Sequence, residues 1–138
     1  MTRRWVFAVV IWLLGLALGT GLGTAIGQQA PPTETKGLKA TVIAALDLGP
    51  EIDGMQGRQL RMRMLTLEPG GVIAMHNHKD RPTAVYLLQG TVRLYEGGSI
   101  KEYYEGNSWA EGKAAEHWAE NRGTKPSVAI VVDIFKQP

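Results

Sequence analysis

The three histidines of this chain are the residues whose type and spacing point most clearly to chemistry. His76 and His78 stand two residues apart in HNHKDRPT, and His117 lies in AAEHWAEN. In a β-strand, side chains two apart face the same side, so His76 and His78 can reach a single point. Such a pair alone favours two surface or hydrogen-bonded histidines on an edge strand. The third histidine, with small Ala115 and Ala119 on its face, favours a shared site for one divalent metal ion.

The elements that would position these histidines are short strand-like runs separated by Gly, Pro and Asp. From Leu38 onward, no stretch keeps a helical periodicity for three turns. Short runs at regular spacing with glycine-rich turns predict an all-β sandwich or barrel. The runs are ATVIAALDL, RQLRMRMLTL, GVIAMHNH, TAVYLLQ, TVRLYE, IKEYYEG, AAEHWAEN and SVAIVVDIF.

One run, RQLRMRMLTL, alternates strictly and therefore suggests which side chains face the core. Met62 and Met64 share one face, and Arg61 and Arg63 share the other. The simplest interpretation places the methionines in the core and the arginines in solvent. The two arginines could also hold a substrate carboxylate, but two solvated arginines are the ordinary outcome on a strand.

The first 27 residues have a different character from the remainder. Arg3 and Arg4 precede an apolar run from Trp5 to about Ile26, and small residues follow in Ala25-Ile26-Gly27. This pattern predicts a secretory signal peptide, with an uncleaved transmembrane anchor as the alternative, because the run approaches the roughly 20 residues that span a bilayer. In either case we expect the domain outside the cytoplasm, either exported or tethered to a membrane. Residues 28–37 read as a linker and residues 38–138 as one barrel domain.

Charge and composition exclude several classes of function. The formal net charge of +2 is carried by the two N-terminal arginines, and the other 13 basic side chains are matched by 13 acidic ones. We therefore expect no nucleic-acid partner. The chain has no cysteine, which removes thiolate ligands and a cysteine nucleophile. Neither a phosphate-binding glycine loop nor a serine-hydrolase motif is present.

Two segments resemble the two motifs of the cupin superfamily. In the first, Gly70 is followed by five residues, His76-Asn77-His78, and a closing Gly90. In the second, Gly106 is followed by five residues, a short turn, His117, three residues and Asn121. The two matches occur in order and span about half of the chain, which is far more specific than either alone. The resemblance implies a double-stranded β-helix of the jelly-roll kind, with His76, His78 and His117 as ligands of one metal ion.

The chain departs from the family pattern at three positions. Gly112 and Ala114 stand at the Pro and Gly positions of the second motif, and both are small enough for a turn. Thr83 stands where the family usually has a metal-binding glutamate. Threonine is neutral and short, so the site would lose one negative charge and one protein ligand.

The loss at Thr83 leaves two interpretations open. In the first, the histidines bind metal as a neutral three-histidine face, as in the thiol and diketone-cleaving dioxygenases of the superfamily. We then expect a small organic substrate and an oxidoreductase of the dioxygenase type, with iron as the first choice of metal and manganese, zinc, nickel or copper as alternatives. In the second, the site has decayed and the barrel binds a small molecule without a metal. A separate alternative to an enzyme is a non-catalytic module outside the cytoplasm that captures a small molecule or a metal. Keeping three imidazoles inside an apolar barrel without partners is costly, which favours the first interpretation.

Other residues near the motifs are weaker candidates. Asp80, Glu111 and Glu116 could replace the missing carboxylate. However, we expect Asp80 and Glu111 in turns, and we expect Glu116 on the opposite face of its strand from His117. Gln89 shares the strand parity of Thr83, and the two are candidate pocket residues. Three aromatic residues could also line a pocket: Tyr86, Trp109 and Trp118. By alternation, Tyr86 and Trp118 face away from the histidines, which favours packing between sheets or at a dimer interface. The direction of Trp109 is not determined by the sequence. The resemblance also implies a homodimer.

Overall fold

The computed structural model describes residues 29–137, which form eight β-strands and no α-helix. The signal or anchor segment predicted for residues 1–27 lies outside the described residues. Between residues 29 and 137, no helix has the length and hydrophobicity needed to cross a bilayer. The strands are β1 (Lys36–Asp47), β2 (Arg58–Asn77), β3 (Thr83–Gln89), β4 (Thr91–Glu96), β5 (Ser99–Tyr104), β6 (Ser108–Glu111), β7 (Glu116–Glu120) and β8 (Ser127–Lys136).

The strands form a nearly closed antiparallel barrel that is organised around β2. Their order is β5-β4-β7-β2-β8-β3-β6, with β1 paired to β2 as well. The first half of β2 pairs with β1 and β8, and its second half pairs with β7. One strand thus belongs to both sides of the barrel, as expected for a jelly roll. This confirms the all-β architecture predicted from the sequence.

A bend in β2 separates its two halves and lies at the glycines of the sequence EPGG. A Cβ atom at Gly71 would lie 2.8 Å from the carbonyl oxygen of Glu68 and 2.8 Å from a Leu67 methyl carbon. Only glycine allows the backbone to fold this tightly here. The bend redirects the strand so that its last residues, which include His76, run along β7.

The hydrophobic core lies between the two halves of the barrel, on β3 and β8. Val85 and Leu87 pack against Ala129 and Val131, and all four are buried. They occupy alternate positions on their strands, so they share the inward face. Leu65, Val92, Tyr103 and Trp109 pack around them. This apolar layer forms one wall of the cavity in which the histidines lie.

The expected orientation of β2 is wrong: its methionines face outward and its arginines face inward. Met62 and Met64 are 38% and 39% exposed. The Arg61 and Arg63 side chains are largely buried, and both bind Asp133 on β8. The physical reason is a buried carboxylate about 70 residues away, which makes the arginine face the inner one. Strict alternation defines two faces, but it does not say which of them is covered.

The strand boundaries differ from the sequence expectation in three places. β1 begins at Lys36, inside the predicted linker. The two runs expected on either side of EPGG form the single 20-residue strand β2, because the glycines bend the strand without ending it. The four-residue strand β6 was not predicted, and it includes Glu111.

Candidate metal centre

The three histidines lie on, or directly after, the two neighbouring strands β2 and β7. His76 lies near the end of β2 and is the register partner of His117 on β7. His78 follows directly after β2, and its backbone N–H donates to the carbonyl of Ala115. Residues opposite each other in an antiparallel pair direct their side chains to the same face. The antiparallel pairing thus brings together residues that lie about 40 positions apart in sequence.

The imidazole nitrogens converge closely enough to bind one ion. The Nε2 atom of His78 lies 3.2 Å from that of His76 and 3.3 Å from that of His117. Two nitrogens that are each about 2.1 Å from a common ion lie roughly 3.0–3.4 Å apart at octahedral to tetrahedral angles. The ligand atoms of all three residues lie within 4.8 Å of one another. Their spacing therefore fits a single divalent metal ion.

Hydrogen bonds on the far side of two rings leave Nε2 free to bind. Nδ1 of His76 donates to the carbonyl of Ala74 at 2.9 Å. Nδ1 of His78 lies 3.0 Å from the hydroxyl of Thr83 and 3.3 Å from the carbonyl of Arg81. In a neutral imidazole whose Nδ1 carries the proton, Nε2 presents a lone pair, which is the form that metal ligands require. Nδ1 of His117 is buried and has no hydrogen-bond partner among residues 29–137.

Burial keeps the histidines neutral. His78 and His117 are each 3% exposed. Burial, together with the neighbouring His76 and His78, lowers the pKa of His117 to about 4. Burial also lowers the pKa values of His76 and His78, and the positive charge of Arg81 acts in the same direction. At neutral pH all three rings are therefore unprotonated and able to bind a cation.

A carboxylate, Glu111, also faces the histidine cluster. Its Oε2 atom lies 3.1 Å from Nε2 of His78, and its Oε1 atom lies 3.5 Å from Nε2 of His117. The side chain is buried at the end of β6, and burial raises the pKa of Glu111. The expectation of a turn position for this residue is therefore wrong. The short strand that carries Glu111 has no alternation long enough to have indicated its direction.

The other candidate residues lie in different places. Thr83 is buried, lines the cavity and holds His78. Gln89 is exposed, donates to the carbonyl of Pro126 and is outside the cavity lining, because a register irregularity follows Leu87. Asp80 and Glu116 are exposed. Of the pocket candidates, the structure thus places Thr83 beside the histidines and Gln89 away from them.

The aromatic candidates divide in a similar way. Trp109 lines the cavity and donates from its indole nitrogen to Glu111 at 2.7 Å. Trp118 is buried away from the histidines and stacks on Tyr95, with 3.7 Å between ring centroids. Tyr86 is half exposed on the outer face of β3. Trp109 is therefore the aromatic residue of this group that touches the site.

The cavity next to the histidines has a volume of about 420 Å³ and is mainly apolar. Leucine, valine and alanine side chains of β2, β3, β4, β7 and β8 are the largest group among the residues that line it. Arg63 and Arg81 supply positive charge to the lining, and Glu111 with the three histidines supplies metal-binding groups. A volume of this size suits a small organic molecule. The arrangement is that of a β-barrel with a candidate metal site at the end of an apolar pocket.

Comparisons with known proteins agree with this class. A model of the Cupin_2 family, described as the cupin domain, matches residues 63–133, slightly more than half of the chain. The chain therefore belongs to this family, as the two histidine motifs indicated. No curated protein matches the sequence significantly.

Solved structures show the same fold at low sequence identity. The cupin domain of Cnp3 from Schizosaccharomyces pombe has a TM-score of 0.58 and 10% identity over 80% of this chain and 74% of that one. KdgF from Halomonas sp. has a TM-score of 0.58 and 14% identity over 75% and 87% of the two chains. A cupin-2 domain protein from Shewanella frigidimarina has a TM-score of 0.53 and 14% identity over 70% and 80%. At these identities the likeness concerns the fold alone.

Proposed function

We propose that this protein binds one divalent metal ion through His76, His78 and His117 and acts on a small organic molecule held in the barrel cavity. The observation that carries the proposal is the convergence of three imidazoles, two buried and one half-buried, on one point of the cavity wall. Buried polar groups without partners are costly, and a bound cation would satisfy all three Nε2 atoms at once.

The activity proposed first is that of an oxidoreductase of the dioxygenase type, with iron as the metal. A bound ion would supply Lewis acidity, together with coordination positions that the protein leaves open for small molecules. In a dioxygenase reaction of the thiol-oxidising or diketone-cleaving kind, both atoms of dioxygen enter the products and the substrate supplies all the electrons, so the reaction needs no external reductant. The chain's own residues would orient the substrate and exclude water from it. Manganese, zinc, nickel and copper remain alternatives for the metal.

The cavity lining supports a substrate that is mainly apolar and carries one anionic group. Its wall consists largely of aliphatic side chains. Arg63 lines the cavity and uses Nη2 for its bond to Asp133. Arg81 also lines the cavity, and it is close enough to the histidines to lower their pKa values beyond the effect of burial. A carboxylate group of the substrate would be attracted to these two guanidinium groups.

We also propose that the protein acts outside the cytoplasm and forms a homodimer. The export proposal rests on the sequence of residues 1–27. The dimer proposal is supported by an apolar outer face shared by β2 and β8, where Leu60, Met62 and Met64 pair in register with Ile134, Val132 and Ile130. The three β2 residues are about 40% exposed. Contiguous exposed apolar surface of this kind is typical of an interface, and a second copy of the same face would cover it.

The test of the main proposal is the metal content of protein produced in an exported form, followed by oxygen consumption with thiols, diketones and phenols. We expect close to one iron or other divalent ion per chain, and oxygen uptake with at least one substrate class. Stoichiometric metal without turnover would support the non-catalytic binding module instead. Absence of metal from the wild type, together with unchanged stability of His76→Ala, would contradict the proposal.

A further inference from the structure

We infer that Glu111 is a fourth protein ligand of the metal ion, so that the site has three nitrogen donors and one carboxylate donor. This inference rests on the proposed metal site at His76, His78 and His117. It goes beyond that proposal because it assigns a ligand and a charge to the site. The carboxylate comes from β6, whereas Thr83 of the neighbouring strand β3 contributes a neutral hydroxyl group.

The distances place the Glu111 carboxylate among the ligand atoms. Its oxygens lie 3.1 Å from Nε2 of His78 and 3.5 Å from Nε2 of His117. The separations between the histidine nitrogens themselves are 3.2 and 3.3 Å. Donor atoms bound to one ion lie about 3 Å apart, whether they are nitrogen or oxygen. The carboxylate therefore lies at a ligand-to-ligand distance from two of the three histidines, His78 and His117.

The surroundings of Glu111 hold it in this orientation. The indole N–H of Trp109 donates to its Oε1 atom at 2.7 Å, and Trp109 stacks on Tyr103 with 4.0 Å between ring centroids. Glu111 is also the register partner of Thr83, so both side chains face the cavity. Thr83 in turn lies 3.0 Å from Nδ1 of His78. Thr83 therefore orients the ligand His78, and Glu111 directs its carboxylate into the site.

The charge of the site gives an independent reason for this role. Glu111 is 9% exposed, and no arginine or lysine among residues 29–137 forms an ion pair with it. A buried carboxylate that is not paired with a cation is expensive, and one indole hydrogen bond compensates only part of the cost. A divalent cation bound between the histidines and Glu111 would supply the missing positive charge. A carboxylate ligand also favours iron or manganese over metals that prefer purely nitrogen or sulfur ligands.

The experiment compares binding of Co²⁺ to the chelator-treated wild type and to Glu111→Gln, by titration calorimetry and by the visible absorption of the bound ion. Glutamine keeps the size and the hydrogen bond to Trp109 but removes the charge. We expect at least a ten-fold loss of affinity and a changed absorption spectrum, because one anionic oxygen leaves the coordination sphere. Glu116→Gln is the matched control, since Glu116 adjoins His117 in sequence but is exposed. It should bind Co²⁺ as the wild type does.

Two further variants separate the possible outcomes. His78→Ala should abolish Co²⁺ binding whatever the role of Glu111. If it does so while Glu111→Gln keeps the affinity and spectrum of the wild type, the fourth ligand is refuted and the three-histidine site stands. If His78→Ala binds as tightly as the wild type, the metal site itself is refuted. Should Glu111→Gln fail to fold, as judged by circular dichroism, Glu111→Asp provides the test, because its shorter side chain should weaken binding and an unchanged affinity would overturn the inference.

Discussion

Replacing Asp133 by asparagine should destabilise the barrel strongly, because this carboxylate holds two arginines inside it. The Asp133 side chain is 0% exposed and accepts hydrogen bonds from Nε and Nη2 of Arg61 at 3.0 and 2.9 Å and from Nη2 of Arg63 at 2.9 Å. An asparagine at this position would keep the volume but present an amide N–H₂ to a guanidinium group. Two largely buried positive charges would then lack their counter-charge.

The magnitude follows from the burial of the three side chains. Removing one partner of a buried ion pair costs about 3–5 kcal/mol. Because the Arg61 and Arg63 side chains are 14% and 17% exposed, water reaches part of each guanidinium group, and we expect the lower end of that range. A loss of about 3 kcal/mol corresponds to a decrease in Tm of roughly 10–20 °C for a domain of this size.

The assay is urea unfolding followed by tryptophan fluorescence, with a chelator present so that metal binding does not contribute to stability. The control is the triple variant Arg61→Met, Arg63→Met, Asp133→Leu, which removes the charges together and should recover most of the lost stability. A loss below about 1 kcal/mol for Asp133→Asn would refute the assignment of a buried charge cluster. Failure of the triple variant to recover stability would show that the cluster contributes more than the pairing of its charges.

Three other predictions follow from the described contacts. Chelator-treated protein should lose stability as the pH falls from about 6.5 to about 4, because the histidines of the unfolded chain take up protons in this range while those of the folded protein do not. His117, whose pKa is lowered to about 4, alone accounts for a decrease of on the order of 3 kcal/mol in the free energy of unfolding. The raised pKa of Glu111 offsets part of this decrease. Urea titrations at several pH values measure this, and a pH-independent midpoint would contradict it. Gly90→Ala should lower the free energy of unfolding by roughly 2 kcal/mol, because φ is +81° and the new Cβ atom would lie 2.8 Å from a backbone carbonyl oxygen. Gly97→Ala is the control: its φ is +54° and no atom lies within 4 Å of the new Cβ, so it should lower the stability clearly less. Thermal unfolding of both variants measures the difference. Met62→Glu should convert the proposed dimer to a monomer in light scattering, and a variant that stays dimeric would exclude this face as the interface.

The sequence predicted the β-barrel from the spacing of its strand-like runs, whereas the grouping of His117 with His76 and His78 rested on the resemblance to the two cupin motifs. The same-face rule applies to His76 and His78 within one segment, and the two motifs related that segment to His117. Repeated turn signals indicated the number and type of most strands. None of these inferences required knowledge of a contact between distant, dissimilar residues.

The features that the sequence did not predict depend on such distant contacts. The inward face of β2 is determined by Asp133, which follows Arg63 by 70 residues and has no marker of burial in its own segment. Glu111 lies on a strand of four residues, too short for alternation to reveal its direction. Its position opposite Thr83 arises from the pairing of β3 with β6. Pairing between strands, rather than periodicity within them, placed the carboxylate at the site.

The most direct test of the central claim is a crystal structure of the protein grown with Fe²⁺ under anaerobic conditions, with an anomalous difference map recorded at the iron edge. We predict one strong peak in the barrel cavity, within bonding distance of Nε2 of His76, His78 and His117. A carboxylate oxygen of Glu111 should complete the set of protein ligands. A cavity without anomalous signal, or histidine rings that turn away from the ion, would contradict the account.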